Sequence, residues 1–168
     1  GFHINTVTGT CGGALVGNTF TTNAVTADCT VIASFAIDTH VVTPSVSGGN
    51  GTISPNTPQT VNYNATPAFT LTPNTGYHIN TVTGTCGGSL VGSTYTTNAV
   101  TTDCTVIASF AIDTHTLTYA AGANGSISGL SPQTVNYGAN GAAVTAVPNT
   151  GYHFVQWSDS STVNPRQD

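Results

Sequence analysis

The chain has 168 residues and a formal net charge of −5 at pH 7, with only 4% of its residues charged, against roughly 25% in an ordinary soluble domain. Lys, Glu and Met are absent and Arg166 is the sole member of the Lys/Arg class, so the clustered cations that neutralise nucleic-acid phosphates or anionic lipid are missing, and so are several of the best helix formers. Because 33 Thr, 19 Gly, 15 Asn and 13 Ser fill nearly half the chain while 38% of it is hydrophobic, composition predicts a folded all-β protein rather than a helical or disordered one.

In chain order, the strand opening at Phe2-His3-Ile4 sets Ile4 and Val7 three apart, which strict alternation would face oppositely, so a bulge is expected there. Cys11-Gly12-Gly13-Ala14-Leu15-Val16-Gly17 leads into a hairpin. Cys29 to Ile37 then alternates, placing Cys29, Val31, Ala33, Phe35 and Ile37 on one face. Asn50-Gly51 and Asn124-Gly125 are expected as type I′ hairpin turns, with φ > 0 at both central residues. Thr60–Tyr63 and Ala68–Thr72 alternate as further strands, and Pro73–Gly76 and Pro148–Gly151 read as turns. Phe154 and Trp157 repeat the three-residue spacing, and with it the expected bulge. No apolar run approaches the roughly 20 residues of a spanning helix, so no membrane insertion is expected.

Internal repetition organises these elements. Residues 1–40 and 76–115 align without a gap at an offset of 75, with 35 of 40 positions identical. A weaker match pairs Asn50–Ser54 with Asn124–Ser128 and Pro58–Tyr63 with Pro132–Tyr137. The expected architecture is an extended array of tandem small β-modules of about 75 residues, β-grasp-like or sandwich-like. Residues 1–38 form the C-terminal part of one repeat module, 39–113 a complete module, and 114–168 the N-terminal part of a further one. The chain opens on Gly1-Phe2-His3, a signature that recurs inside the repeat, so these residues are expected to be the visible part of a longer array.

Four cysteines at identical spacing, with no CxxC, predict disulfides Cys11–Cys29 and Cys86–Cys104 rather than a metal site. Each would close a loop of 17 intervening residues, contributing on the order of 3 kcal/mol by the chain-entropy model, and would place the protein in an oxidising compartment, extracellular or at the cell surface.

The runs Asn50-Gly51-Thr52-Ile53-Ser54-Pro55, Gln59-Thr60-Val61-Asn62-Tyr63 and Pro73-Asn74-Thr75-Gly76-Tyr77-His78 resemble the divergent internalin B B-repeat family. Gly151-Tyr152-His153-Phe154-Val155-Gln156-Trp157 resembles the aromatic-Trp signature of the parent repeats. The resemblance covers essentially the whole chain. It implies secreted or surface-anchored bacterial proteins built of tandem β-modules, and it carries over no catalytic residue.

Candidate chemistry is sparse. Asp38-Thr39-His40 and Asp113-Thr114-His115 would put a carboxylate and an imidazole on one strand face, within hydrogen-bonding reach. Their place where one repeat ends and the next begins favours a polar junction over an acid/base pair or half a metal site. His3, His78 and His153 follow Gly-aromatic pairs and are expected to face solvent. Trp157 with Tyr152 and Phe154 could stack on a sugar, although core packing explains them more simply. No enzyme activity, metal or cofactor is expected. The function these features favour is a structural extracellular stalk, fibre or filament. Its partners would be copies of itself or neighbouring repeats, head to tail, with Cys29, Val31, Ala33, Phe35 and Ile37 as the strand-exchange segment. The alternative is an adhesin module that recognises a glycan or a host protein.

Overall fold

The computed structural model describes residues Gly1–Asp168 as sixteen strands without a helix. Residues 1–38 carry β1 (Phe2–Gly9), β2 (Gly13–Val16), β3 (Thr19–Thr22) and β4 (Val31–Ile37). The next stretch carries β5 (Thr39–Ser47), β6 (Gly51–Ser54), β7 (Gln59–Asn62), β8 (Ala68–Pro73), β9 (Tyr77–Thr83), β10 (Gly88–Val91), β11 (Thr94–Thr97) and β12 (Cys104–Ile112). Four strands follow: β13 (Thr114–Leu117), β14 (Gly125–Ser128), β15 (Gln133–Asn136) and β16 (Thr145–Pro148). The chain divides into two compact units, Gly1–Thr72 with Ile79–Ser109 and Pro73–His78 with Phe110–Asp168.

In the first unit β1 pairs antiparallel with β4, from Phe2↔Ile37 to Gly9↔Val31, with a register shift between Ile4 and Thr6. That shift is the expected bulge. It is filled by a hydroxyl: the Thr6 N–H donates to Ser34 Oγ at 3.1 Å and the two side-chain oxygens meet at 2.6 Å. The same pair recurs as Thr81 and Ser109, with the N–H to Oγ distance 3.3 Å. Ser34, which interrupts an otherwise apolar run, is there to satisfy the bulge's unpaired donor.

The stretch from β5 to β12 forms two four-stranded sheets, ordered β10-β11-β8-β6 and β7-β5-β12-β9. Phe69 and Leu71 of β8, Ile53 of β6 and Tyr95 of β11 supply buried side chains from one sheet; Val42 of β5 and Val106 and Ala108 of β12 supply them from the other. Both sheets contribute to the core, and no helix packs on either. The architecture is all-β, with buried side chains drawn from both sheets. Its first and last strands are neighbours: β12 runs parallel to β5, from Cys104↔Val42 to Ser109↔Ser47.

In the second unit β13 pairs with β15 from Thr114↔Asn136 to Leu117↔Gln133, reproducing the register of β5 on β7, which runs Thr39↔Asn62 to Val42↔Gln59. β14 pairs antiparallel with β16. Gln133 is buried with its amide satisfied, Nε2 donating to the Leu130 and Ala142 carbonyls at 2.8 and 2.7 Å and Oε1 accepting from the Ala142 N–H.

Two local expectations change. Asn50 and Asn124 have φ of 65° and 64°, but Gly51 and Gly125 are not in the left-handed region and instead open β6 and β14. These are not type I′ Asn-Gly turns. At the first, Gly48, Gly49 and Asn50 all turn left-handed, so the reversal is longer than two residues. The glycine at 125 serves proximity, since a Cβ there would meet the Val147 carbonyl at 3.1 Å. Phe154 to Trp157, expected as a bulged strand, form no strand at all.

Candidate functional site

One nonapeptide, Cys-Thr-Val-Ile-Ala-Ser-Phe-Ala-Ile, occurs twice in this chain in opposite environments. In β12 Val106 is 0% and Phe110 9% exposed; in residues 29–37 the matching Val31 is 44% and Phe35 65% exposed. Val25 and Val100, also 75 apart, differ in the same way, at 63% and 2%. Sequence cannot cause the difference, because it is the same sequence. The cause is pairing: β12 lies between β5 and β9, whereas β4 is bonded only to β1. Residues 31–37 thus pair along one edge, where β12 pairs along both.

The second unit also differs from its counterpart stretch. β13 stops after four residues, where its counterpart β5 continues for nine. The extra length of β5 is the part that pairs with β12, from Val42 to Ser47. The equivalent run, Leu117 to Gly122, borders an open groove of about 510 Å³ whose lining includes Tyr119, Ile127, Ala146 and Trp157. Tyr119 directs its N–H and C=O inward to Ser131 Oγ, at 2.8 and 2.7 Å.

A polar junction recurs in both units. The Asp38 N–H donates to the Gly1 carbonyl and the Tyr63 N–H to the Asp38 carbonyl, each at 2.8 Å; Asp113, Gly76 and Tyr137 repeat both bonds at 2.8 Å. A Cβ on Gly1 would fall 2.5 Å from the Tyr63 ring, and one on Gly76 would fall 2.2 Å from the Tyr137 ring. The ring lies flat against the glycine, which excludes any side chain there. His3 Nδ1 and Asp38 Oδ1 are 2.7 Å apart, as are His78 Nδ1 and Asp113 Oδ1. The His3 contact holds the Asp38 carboxyl below its ordinary value.

The expected Asp38/His40 and Asp113/His115 pairs do not form. Each carboxylate turns to the histidine 35 residues earlier, while His40 approaches Asp103 at 3.6 Å. The β1–β4 and β9–β12 ladders bring these partners together, and i, i+2 spacing alone could not reveal it. His3 and His78 do face solvent, but with a carboxylate attached.

Beyond β16 the only cation organises the tail. Arg166 pairs with Asp159 at 2.7 Å and with Asp168, and its guanidinium sits 5.7 Å from the Trp157 ring centroid. Arg166 chiefly, aided by the Ser161 N–H, lowers the Asp159 pKa to about 2. Trp157 also stacks near Phe154 and Tyr119, at 5.3 and 5.9 Å, and donates its N–H to the Val163 carbonyl. With Arg166 over it, the indole is no free sugar platform.

Cys11 is joined to Cys29 and Cys86 to Cys104, with Cα atoms 4.8 and 5.0 Å apart. Each bond ties the approach to a β-hairpin, β2–β3 or β10–β11, to the segment entering β4 or β12. No group of three or more His, Cys, Asp or Glu side chains is placed to hold a metal ion. No helix is long and apolar enough to cross a membrane.

Neither the curated proteins nor the solved structures contain a match to this chain. The model of the divergent InlB B-repeat domain matches twice, over residues 41–114 and 115–168. These tandem matches fit the all-β architecture and the register shared by β13 on β15 and β5 on β7. The chain therefore belongs to the divergent InlB B-repeat domain family, whose members are bacterial extracellular and cell-surface tandem repeats with a structural, non-catalytic role.

Proposed function

We propose that this chain is a load-bearing segment of an extracellular stalk or fibre, organised as module parts 1–38, 39–113 and 114–168 joined head to tail. The observation that carries the reading is the parallel pairing of β5 with β12. These strands begin and end one complete stretch, so tension along the chain pulls them in opposite directions along a shared ladder. A parallel pair at the two ends is loaded in shear, and its hydrogen bonds must fail together rather than one by one. The disulfides Cys11–Cys29 and Cys86–Cys104 act with this ladder, locking each hairpin to the strand that follows it.

Near-identity of the repeated segments supports the same reading, since an array needs equivalent contacts at each step. Nothing independent supports glycan recognition, because Arg166 lies over the Trp157 ring. The test is single-molecule force spectroscopy on the oxidised chain between inert handles, pulled from its ends. High, cooperative rupture of the 39–112 stretch supports the reading. Gradual extension at low force, as in unzipping, overturns it.

A further inference from the structure

Residues 73–78 lie within the first of the two family-matched stretches, 41–114, yet they pack in the compact unit of the second, with Phe110–Asp168. We infer that this Gly-aromatic-His turn is a coupling clasp: one repeat lends it to the fold of the next, so that consecutive repeats unfold as one cooperative block. The inference stands apart from the load-bearing reading above.

Four residues build the clasp. The Gly76 carbonyl accepts from the Asp113 N–H, and the Asp113 carbonyl accepts from the Tyr137 N–H, each at 2.8 Å. Gly76 has φ of +80°, and the Tyr137 ring against it leaves no room for a Cβ. His78 Nδ1 meets Asp113 Oδ1 at 2.7 Å, and the His115 ring stands 6.1 Å from that of Tyr137. Asp113 is thus held through its N–H, its carbonyl and its carboxylate, between the turn on one side and the β13–β15 pair on the other. The same set occurs once more, as Gly1, His3, Asp38 and Tyr63, with the same 2.8 and 2.7 Å distances. The arrangement therefore belongs to the repeat and not to one copy of it.

The covalent chain carries the coupling. It passes between the two units three times, at Thr72/Pro73, His78/Ile79 and Ser109/Phe110. All three passages fall inside strands, β8, β9 and β12; none falls in a flexible linker that would let one unit open alone. Melting the first unit frees β8 and β9, and with them the turn that seats on Tyr137. Melting the second removes the partners of that turn and frays the same strands. Opening free energy is then shared across the sequence boundary, as nearest-neighbour coupling shares it in repeat arrays.

The experiment unfolds the oxidised 168-residue chain in urea. Emission of Trp157, the only tryptophan, reports the second unit; pulsed hydrogen exchange in peptides from 41–72, read by mass spectrometry, reports the first. In the wild type the two curves should share one midpoint. Val144→Ala truncates a buried side chain of the second unit outside the clasp and should move both curves to lower urea by the same amount. Tyr137→Ala should part them, with Trp157 unfolding first, while Tyr137→Phe, which keeps the ring, should leave them joined. A Val144→Ala chain in which only the Trp157 curve moves overturns the inference, and so does a Tyr137→Ala chain whose curves stay together. If Val144→Ala leaves the second unit unfolded without urea, protection surviving in 41–72 overturns it equally, and lost protection there supports it. A chain whose units unfold separately in urea but rupture cooperatively under force would remove the clasp and leave the load-bearing reading intact.

Discussion

Replacing Phe35 and Phe110 by Ala, one at a time, separates the effect of sequence from that of environment, because both residues sit in the same nonapeptide. Burying a large apolar side chain contributes about 1.5–3 kcal/mol. Phe110 is 9% exposed and receives nearly all of that; Phe35, at 65%, receives about a third. A packed site adds the cavity left behind, bringing a buried Phe→Ala loss to about 3–5 kcal/mol. The open face around Phe35 leaves no enclosed void, so its loss should stay below about 1 kcal/mol. The assay is urea unfolding of the oxidised protein by far-ultraviolet circular dichroism, at concentrations where sedimentation shows monomer, comparing midpoints at constant slope. Equal losses at the two positions would refute the reasoning, since they would mean that β4 is covered in the isolated chain. Val31→Ala and Val106→Ala should differ in the same direction.

Gly76→Ala should destabilise the second unit by about 1–3 kcal/mol, because its φ is +80° and the added methyl meets the Tyr137 ring. Gly17→Ala, with φ of +58° and open space around it, carries only the backbone part, and matched urea curves distinguish the two. Removing Cys86 and Cys104 together should cost about 3 kcal/mol, with the midpoint shift measured against the oxidised parent; no shift at all would show that this loop is held without its cystine. The Asp159 carboxyl lies near pH 2 in the folded protein, below its ordinary value of 3.8. Its contribution is therefore complete above about pH 4 and is lost as pH falls toward 2. Trp157 emission should follow that loss, and Arg166→Gln should flatten it.

The sequence made some of this fold readable through local physics. Three-residue spacing at Ile4 and Val7 marks the bulge, and Thr/Val alternation without good helix formers marks an all-β chain. Other features depend on partners distant in sequence. Nothing at Asp38 or His40 indicates that His3 will take the carboxylate, because that contact needs the β1–β4 ladder first. The parallel alignment of β5 and β12 leaves no mark in either strand. The dihedral angles at Gly51 follow from where β6 must begin, and the Asn-Gly dipeptide does not fix them. Even the 75-residue repeat misleads if read alone, since equal sequences at Val31 and Val106 have unequal burial. The groove is the hardest feature to foresee: residues 117–122 are Leu, Thr, Tyr, Ala, Ala and Gly, and its other walls come from residues distant in sequence, among them Ala146 and Trp157.

Each cystine also shortens the path along which the chain can be stretched. Cys86 and Cys104 are 18 positions apart but only 5.0 Å apart at Cα, while a fully extended run of that length spans about 60 Å. When the ends of the protein are drawn apart, the covalent link bypasses the β10–β11 hairpin entirely, and the one at Cys11–Cys29 bypasses β2–β3. The contour available to an oxidised chain is thus shorter by about 55 Å at each link than that of the reduced one. Extensibility becomes a redox property. In an oxidising medium the hairpins are held outside the tensioned path, and reduction would release them as slack.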